Sequence, residues 1–330
     1  MGSSIPVVFC QACGSPNGKL FLETRSWNWA PDQIFSLVRC STCGFVYLNE
    51  IMPYDVLNYV YSHPINKRRS GFGAGIADAA MRSCMKLRAK KIEAFTRVGA
   101  ILDVGCANGL FLEEMHSRGW QSYGVDISPN ILDLPGSKKG IKFLCGSLTS
   151  ITMPEPLFDA ITFWHSLEHV HDPCAVLTKA RTLLKDDGIL FISVPNIESF
   201  EARMNKKKWF GLELPAHCCH YSPSTLALIL ERNGFTVRSM RKNSLEYNLP
   251  FFAQSLFNSV GGIHDFLQKK FKGCASRYRT NSFHEVYTVA LIVALSPLAV
   301  IMTLALYFVN IVTGNGPVIE AEVKKNDEKK

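Results

Sequence analysis

The sequence predicts an α/β fold built on a doubly wound, mostly parallel sheet, and the segment around residues 100–126 carries this prediction. Ile101, Leu102 and Val104 form a short apolar run, which is typical of a strand buried on both faces of a parallel sheet. A turn rich in small residues follows, and residues 110–115 then have the composition of a crossover helix. The next apolar run ends at Asp126, which completes a strand, helix, strand unit.

The turn after this first strand has small residues at Gly105, Ala107 and Gly109, which allow a ligand to approach the backbone closely. Asp126 lies about 20 residues later, a spacing that suits a carboxylate bound to ribose hydroxyls. The dinucleotide fingerprint G-x-G-x-x-G would require glycines where the chain has Ala107 and Leu110. The sequence therefore disfavours NAD as the cofactor.

Length and composition limit the remaining possibilities. A chain of 330 residues is long enough for one α/β domain and a further segment. The net charge of +8 fits anionic partners such as phosphorylated substrates or acidic lipid headgroups, and without a recognition motif we expect no nucleic acid. The odd number of cysteines, 11, and the lack of a signal-peptide pattern favour a reduced, cytoplasmic setting. Nothing in the sequence indicates an oligomeric state.

Residues 1–48 are predicted to form a small zinc ribbon, because two CxxC pairs lie within them. Each pair is followed by a glycine, Gly14 or Gly44, which permits the tight turn that directs two thiolates at one ion. Four thiolates complete a tetrahedral Zn²⁺ site without an open position, so the ion would be structural. Redox-active or unrelated cysteines are the alternative. The expected ligands are Cys10, Cys13, Cys40 and Cys43.

Further motifs follow the glycine turn. In one-letter code they are an F-D pair at 158–159, H-x-L-E-H-V-x-D-P at 165–173, G-x-L-x-I-x-V-P-N at 188–196, H-x-x-H-Y-S at 217–222 and G-F at 234–235. Together with the run from Asp103 to Gly109, this series resembles the ubiquinone-type branch of class I S-adenosylmethionine (SAM) methyltransferases. The resemblance spans roughly residues 85–245, and a similar ribbon precedes the catalytic domain in many bacterial methyltransferases of polysaccharide gene clusters.

The resemblance implies a Rossmann-like, seven-stranded sheet that binds SAM. Residues 49–97 would be a helical lead-in, 98–245 the SAM-binding core, and 314–330 a closing strand, antiparallel to the sixth, with a charged tail. Asp103 would lie near the methionine end of SAM, Asp126 would bind the ribose, and Arg88 resembles the arginine that meets the SAM carboxylate. The residues expected at the cofactor are Arg88, Asp103, Gly105, Ala107, Gly109, Asp126, Ile127, Ser147, Leu148 and Trp164. Two positions depart from the family pattern: Ala107 replaces a glycine, and Ser147 replaces an acid beside the adenine.

Methyl transfer requires alignment, exclusion of water and sometimes a general base. His165, Glu168 and His169 are spaced so that a helix would place them on one face, and His165 is the preferred base. The matching segment of quinone methyltransferases reads Glu-x-x-Glu-His and is implicated in binding a divalent metal, so His165, Glu168 and His169 would form a more nitrogen-rich site. Loop orientation is the alternative role. His217 and His220 lie in a loop that could close over the acceptor, as catalytic or structural residues.

Residues 246–313 are unusually apolar. An amphipathic stretch at 249–272 and an uncharged run at 286–312, interrupted by Pro297, predict helices that associate with membrane lipids. We expect a monotopic or re-entrant arrangement on the cytoplasmic side of a membrane, with an integral span as the alternative. A lid, a dimer helix or a buried core helix would also account for the pattern.

The sequence thus predicts a SAM-dependent methyltransferase that O-methylates a glycan, nucleotide sugar or lipid-linked intermediate. A lipid quinone is the alternative acceptor, and sugar C-methylation is a third possibility. A membrane-bound scaffold with a degenerate methyltransferase fold is the non-enzymatic alternative, motivated by Ala107 and Ser147.

Overall fold

A computed structural model describes residues 9–25, 33–50, 74–153, 157–244 and 304–326, together with positions 246, 255, 290, 294, 297, 301 and 302. Within these residues the α-helices are α1 (Ala74–Glu93), α2 (Leu110–Ser117), α3 (Pro173–Leu183), α4 (Phe200–Asn205) and α5 (Pro223–Arg232). The strands are β1 (Gly18–Arg25), β2 (Ile34–Cys40), β3 (Val46–Leu48), β4 (Ala100–Val104), β5 (Gln121–Asp126), β6 (Lys142–Cys145), β7 (Phe158–Trp164), β8 (Leu184–Pro195), β9 (Cys219–His220), β10 (Phe235–Arg241) and β11 (Val318–Lys325).

The main sheet has seven strands in the order β10-β11-β8-β7-β4-β5-β6. Strands β8, β7, β4, β5 and β6 are parallel to one another, whereas β11 is antiparallel to both β8 and β10. The prediction of a seven-stranded sheet closed by an antiparallel last strand is thus confirmed. Every residue of β4 is buried, as the apolar run at its start predicts for a central strand.

Strand β4 ends at the glycine turn, and α2 begins directly after Gly109. The N-terminus of α3 is capped by Asp172, whose side chain accepts a hydrogen bond from the amide of Ala175. Helix α5 begins with a capping box between Ser222 and Thr225. Because the five central strands are parallel, the loops at their carboxyl ends converge on one edge of the sheet.

A second sheet has four strands in the order β1-β2-β3-β9. Its last strand, β9, comes from the methyltransferase-like part of the sequence, so the small N-terminal sheet is completed by residues far along the chain. The amide of Leu48 donates to the carbonyl of Cys218 at 2.9 Å, and the rings of Phe45 and Tyr221 lie 5.4 Å apart. The ribbon is therefore docked against the larger domain by backbone hydrogen bonds and aromatic packing.

The expected membrane association is corrected by the structure. Among the residues that the structure describes, no helix combines the length and apolar character needed to cross a bilayer. The prediction of a location on the cytoplasmic side of a membrane, with an integral span as the alternative, is therefore wrong. Most of 246–313 lies outside the described residues; residues 304–313 are helical and expose Leu304, Phe308 and Val312.

Candidate active site

The turn between β4 and α2 has an unusual backbone conformation. Gly105, Ala107 and Gly109 all have positive φ angles, of 77°, 46° and 69°. A Cβ atom at Gly105 would lie 2.4 Å from Cβ of Ser166, so a larger residue would push away the loop that follows β7. The Ser166 hydroxyl donates to the carbonyl of Val104 at 2.6 Å. The predicted glycine turn is thus packed directly against the loop that carries the candidate catalytic histidine.

Asp126 lies at the end of β5, beside this turn. One carboxylate oxygen accepts a hydrogen bond from the amide of Ala107 at 3.0 Å, and the other accepts from the amide of Ser128 at 2.9 Å. Burial nevertheless raises the pKa of Asp126. These two amides fix the carboxylate orientation at the sheet edge, where a ribose would be bound.

Asp103 is buried one residue before the end of β4. It accepts a hydrogen bond from the Thr162 hydroxyl at 2.7 Å. Burial raises the pKa of Asp103 to about 7, although the Thr162 hydrogen bond and the positive charge of Arg88 act in the opposite direction. A cationic ligand beside this carboxyl would favour its ionised form.

Arg88 of α1 lies at the same end of the site. Its guanidinium stacks over the Trp164 ring, 4.7 Å from the ring centroid. It also forms a bidentate salt bridge with the carboxylate of Glu246. Trp164 is buried and packs against Phe111 and Phe191, so it contributes to the core as well as to this end of the site. The structure therefore brings Arg88, Asp103 and Trp164 together.

The residues expected beside the adenine lie at the carboxyl ends of β5 and β6. Ile127 is 45% exposed, whereas Leu148 is buried. The hydroxyls of Ser147 and Thr149 lie 2.7 Å apart, so the serine that replaces the usual acid is bonded within its own loop. Ile127 follows Asp126 directly, and Ser147 and Leu148 come just after β6. Their contact with the adenine stays a prediction.

His165 follows β7 with a φ angle of 52°, a left-handed conformation that is uncommon for residues other than glycine. Its Nδ1 lies 3.2 Å from Oε1 of Glu168, and its Nε2 lies 3.3 Å from the Ser193 hydroxyl. Although burial raises the pKa of Glu168, the hydrogen bond and charge of His165 outweigh this and lower it to about 2. An ionised carboxylate thus orients the imidazole, while Nε2 faces a hydroxyl.

The other predicted histidines gather nearby, but they do not share one helical face with His165. Residues Leu167–His169 form a 3₁₀ turn instead of an α-helix. His169 points to the loop before β9, where its ring lies 4.6 Å from that of His217, and the rings of His217 and His220 lie 6.4 Å apart. Burial, followed by the charge of His217, lowers the pKa of His169 to about 4 and that of His220 to about 3.

The four ribbon cysteines form a cluster of potential metal ligands. The Sγ atoms of Cys10 and Cys43 lie 3.6 Å apart, as do those of Cys13 and Cys40. Thiolates at about 2.3 Å from a tetrahedral ion would lie about 3.8 Å from one another, so the spacing of these two pairs is close to what zinc requires.

Three residues at the site have roles that the sequence did not reveal. Thr162 binds Asp103, Ser193 faces His165, and Glu246 pairs with Arg88. Thr162 and Ser193 are polar residues within the apolar stretches of β7 and β8, a signal that could have marked them. Glu246 has no such signal, because only the fold brings it to Arg88.

Comparisons with known proteins agree with this geometry. Residues 77–240 match a family described as a methyltransferase domain. A ubiquinone biosynthesis O-methyltransferase of Xanthomonas campestris pv. campestris is 32% identical over 139 residues, which cover 38% of this chain and 58% of that protein. A protein of the same name from Idiomarina loihiensis is 32% identical over 130 residues, which cover 37% of this chain and 51% of that protein.

The chain thus covers less than two thirds of the length of these relatives. The solved structure of a SAM dependent methyltransferase from Archaeoglobus fulgidus is 20% identical with a TM-score of 0.46, over 74% of this chain and 94% of that chain. The sequence motifs, the order of the seven strands and the family match identify the chain as one that carries a class I SAM-dependent methyltransferase domain.

Proposed function

We propose that this chain transfers the methyl group of SAM to a hydroxyl group of a small-molecule acceptor, and that the acceptor is a glycan or nucleotide sugar. The observation that carries the transfer reaction is the convergence, on one sheet edge, of Asp126, held by two backbone amides, with Asp103 and His165. The relatives named O-methyltransferases support transfer to oxygen.

In the proposed complex Asp126 accepts hydrogen bonds from the ribose hydroxyls. Asp103 and Arg88 bind the amino and carboxylate groups of the methionine end, and SAM replaces Glu246 as the partner of the Arg88 guanidinium. Opposite charges favour both contacts, because one protein group is acidic and the other is basic. When bound, SAM supplies an electrophilic methyl group on a sulfonium.

His165 is the proposed general base. The Glu168 carboxylate accepts a hydrogen bond from Nδ1 and stabilises the positive charge that forms when Nε2 takes the acceptor proton. The acceptor hydroxyl would take the place now held by the Ser193 hydroxyl, 3.3 Å from Nε2. This arrangement serves a hydroxyl acceptor, because a hydroxyl must lose its proton as the oxygen attacks the methyl group.

The preference for a sugar acceptor rests on the ribbon. Its cysteine cluster fits one structural Zn²⁺, and the resemblance of the ribbon to those of polysaccharide-cluster methyltransferases favours a carbohydrate. The names of the relatives favour a second candidate, a phenolic hydroxyl of a quinone precursor. The two acceptors differ in acidity, so they can be separated by direct assay.

The test has two stages. Calorimetric titration of the full chain with S-adenosylhomocysteine should show binding, which a degenerate scaffold would not. The chain is then incubated with SAM labelled in its methyl group and with nucleotide sugars, glycans or catechols, and products are checked for a methyl-sized mass increase. Asp126→Ala should lower labelling at limiting SAM, whereas Asp133→Ala, at an exposed carboxylate on the following turn, should not. If only catechols are labelled, the sugar proposal is wrong. If the chain does not bind S-adenosylhomocysteine, the proposal of an active methyltransferase is wrong.

A further inference from the structure

A basic surface lies where the ribbon meets the segment between β8 and α5. Strand β1, at one edge of the ribbon sheet, contacts the 3₁₀ turn Lys206–Lys208. All three lysines of this turn are exposed, as is Lys19 at the start of β1. The proposed methyl transfer uses none of these residues. The surface is called the basic patch below, and it consists of Lys19, Phe21, Arg39 and Lys206–Lys208.

The register of the ribbon places two cations directly opposite each other. Lys19 of β1 is paired with Arg39 of β2 in the antiparallel ladder. Like charges at directly opposite positions destabilise a sheet, because the two side chains leave it on the same face. Among the described residues, neither side chain forms an ion pair with a carboxylate. An anionic group bound between the two cations would remove their repulsion.

A β-bulge orients one of these cations. The register shift between Leu20 and Leu22 leaves Phe21 as the extra residue, and the Arg39 guanidinium stacks over its ring, with Cζ 4.6 Å from the centroid. Stacking covers a face of the guanidinium and leaves its N–H groups, which lie in the plane, for other partners. Nε of Arg39 is buried without a hydrogen-bond partner in the described part of the chain. A bound anion is one explanation for such a donor.

The turn that carries the three lysines is fixed by its neighbours. Lys206 has a φ angle of 47° and a ψ angle of −116°, which is costly for a residue with a side chain. The side chain of Asn205 donates to the carbonyl of Glu201 at 2.9 Å, and the amide of the buried Trp209 donates to the carbonyl of Lys206 at 3.1 Å. These bonds hold three consecutive cations together on one turn beside β1.

The basic patch lies near the loop that borders the proposed acceptor site. Arg39 is paired with Val46 of β3, and Val46 is paired with His220 of β9. Two strand spacings, about 10 Å, therefore separate Arg39 from His220. The rings of His220 and His217 lie 6.4 Å apart, and that of His217 lies 4.6 Å from a histidine of the turn after β7. A chain-like acceptor with one end at His165 would therefore extend over the patch.

We propose that the basic patch binds an acidic glycan, a sugar chain that carries carboxylate groups. This inference rests on the proposed transfer to a sugar and narrows the class of acceptor. Lys19 and Lys207 pair with successive carboxylates, and the planar guanidinium of Arg39 binds one of them through two N–H groups. Single-stranded nucleic acid is disfavoured, because its binding proteins stack successive bases on aromatic rings. Within the described residues the patch has one such ring, Phe21, and Arg39 covers one of its faces.

The test measures binding of a fluorescently labelled oligogalacturonate, which has a carboxylate on each sugar, to the full chain by anisotropy. Lys19→Gln/Lys207→Gln should bind it about tenfold more weakly than wild type, because two charged contacts are lost. Lys86→Gln/Lys90→Gln is the matched control, since it removes the same charge from exposed positions of α1. It should change the affinity less than about twofold, because distant charges are screened by salt. Unlabelled maltooligosaccharides, which are uncharged, should not compete.

Equal losses in the two double variants would overturn the proposal, because net charge alone would then explain binding. It is also overturned if wild type does not bind the oligogalacturonate, or if an oligouridylate of equal charge binds more tightly at the same positions. Titration with S-adenosylhomocysteine, which tests the proposed enzyme separately, checks that each variant is folded. If Lys19→Gln/Lys207→Gln fails that check, the single changes decide, each with an expected loss of about threefold.

Discussion

The most informative perturbation of the cofactor site is Asp103→Asn. Burial raises the pKa of this carboxyl from 3.8 to about 7, so between about pH 4 and pH 7 the folded chain binds one proton more than the unfolded chain. Stability therefore falls as the pH rises through this window, by up to about 1.4 kcal/mol per pH unit. Asparagine keeps an oxygen that can accept the Thr162 hydrogen bond but does not titrate.

The expected change in the free energy of unfolding follows from the pKa values of Asp103 in the unfolded and folded chain. Since the folded group is half ionised at pH 7, the wild-type chain should lose roughly 2 kcal/mol relative to Asp103→Asn between pH 5 and pH 7, and about 4 kcal/mol in total at higher pH. Urea unfolding at several pH values from 5 to 9 measures the difference. The exposed change Asp133→Asn is the matched control.

The titration of Asp103 should also be linked to binding of the cofactor. A cationic methionine end beside Asp103 favours the carboxylate, so binding releases a proton below pH 7, and affinity should rise with pH up to that point. Calorimetry in buffers with different ionisation enthalpies measures the proton released. Unfolding curves for wild type and Asp103→Asn that stay parallel from pH 5 to pH 8 would refute the raised pKa, whatever the cofactor does.

Three further outcomes are expected. Asp126→Ala should weaken S-adenosylhomocysteine binding by about 1–3 kcal/mol in calorimetry, the cost of lost hydrogen bonds to a charged group, and an unchanged dissociation constant would show that the cofactor lies elsewhere. Cys40→Ser/Cys43→Ser should lose the ribbon zinc and melt at a lower temperature; unchanged zinc content would reject the assigned ligands. His165→Ala should lower turnover by roughly 10²–10⁴-fold with little effect on cofactor affinity, and near-normal turnover would leave His165 with a structural role only.

The strands were predictable because their signals are local. The apolar run before the glycine turn is buried on both faces in β4, and the run at 318–325 forms the antiparallel strand β11. The placement of Asp103 and Asp126 at the ends of β4 and β5 followed from the same pattern, because parallel strands bring their carboxyl ends to one edge.

The turn after β7 was harder to predict. The spacing of His165, Glu168 and His169 fits a helical face, but His165 takes a left-handed conformation that no helix accommodates. Ring hydrogen bonds to Glu168 and Ser193 compensate for this strain. Because one of these partners is in a different strand, the conformation depends on tertiary contacts that the local pattern does not contain.

The loop that ends in β9 lies between the ribbon and the turn after β7, and it contacts both. Its Cys218 carbonyl accepts a hydrogen bond from Leu48 in the ribbon, and its Cys218 amide donates to the carbonyl of Glu168 at 3.0 Å. His217 precedes this residue and His220 follows two residues later, so their positions depend on contacts with the ribbon on one side and the turn after β7 on the other. A strand of two residues has too few side chains for a recognisable pattern, which is why the sequence suggested a separate ribbon. The ribbon therefore supports the loop that holds these histidines, because its strand β3 pairs with β9.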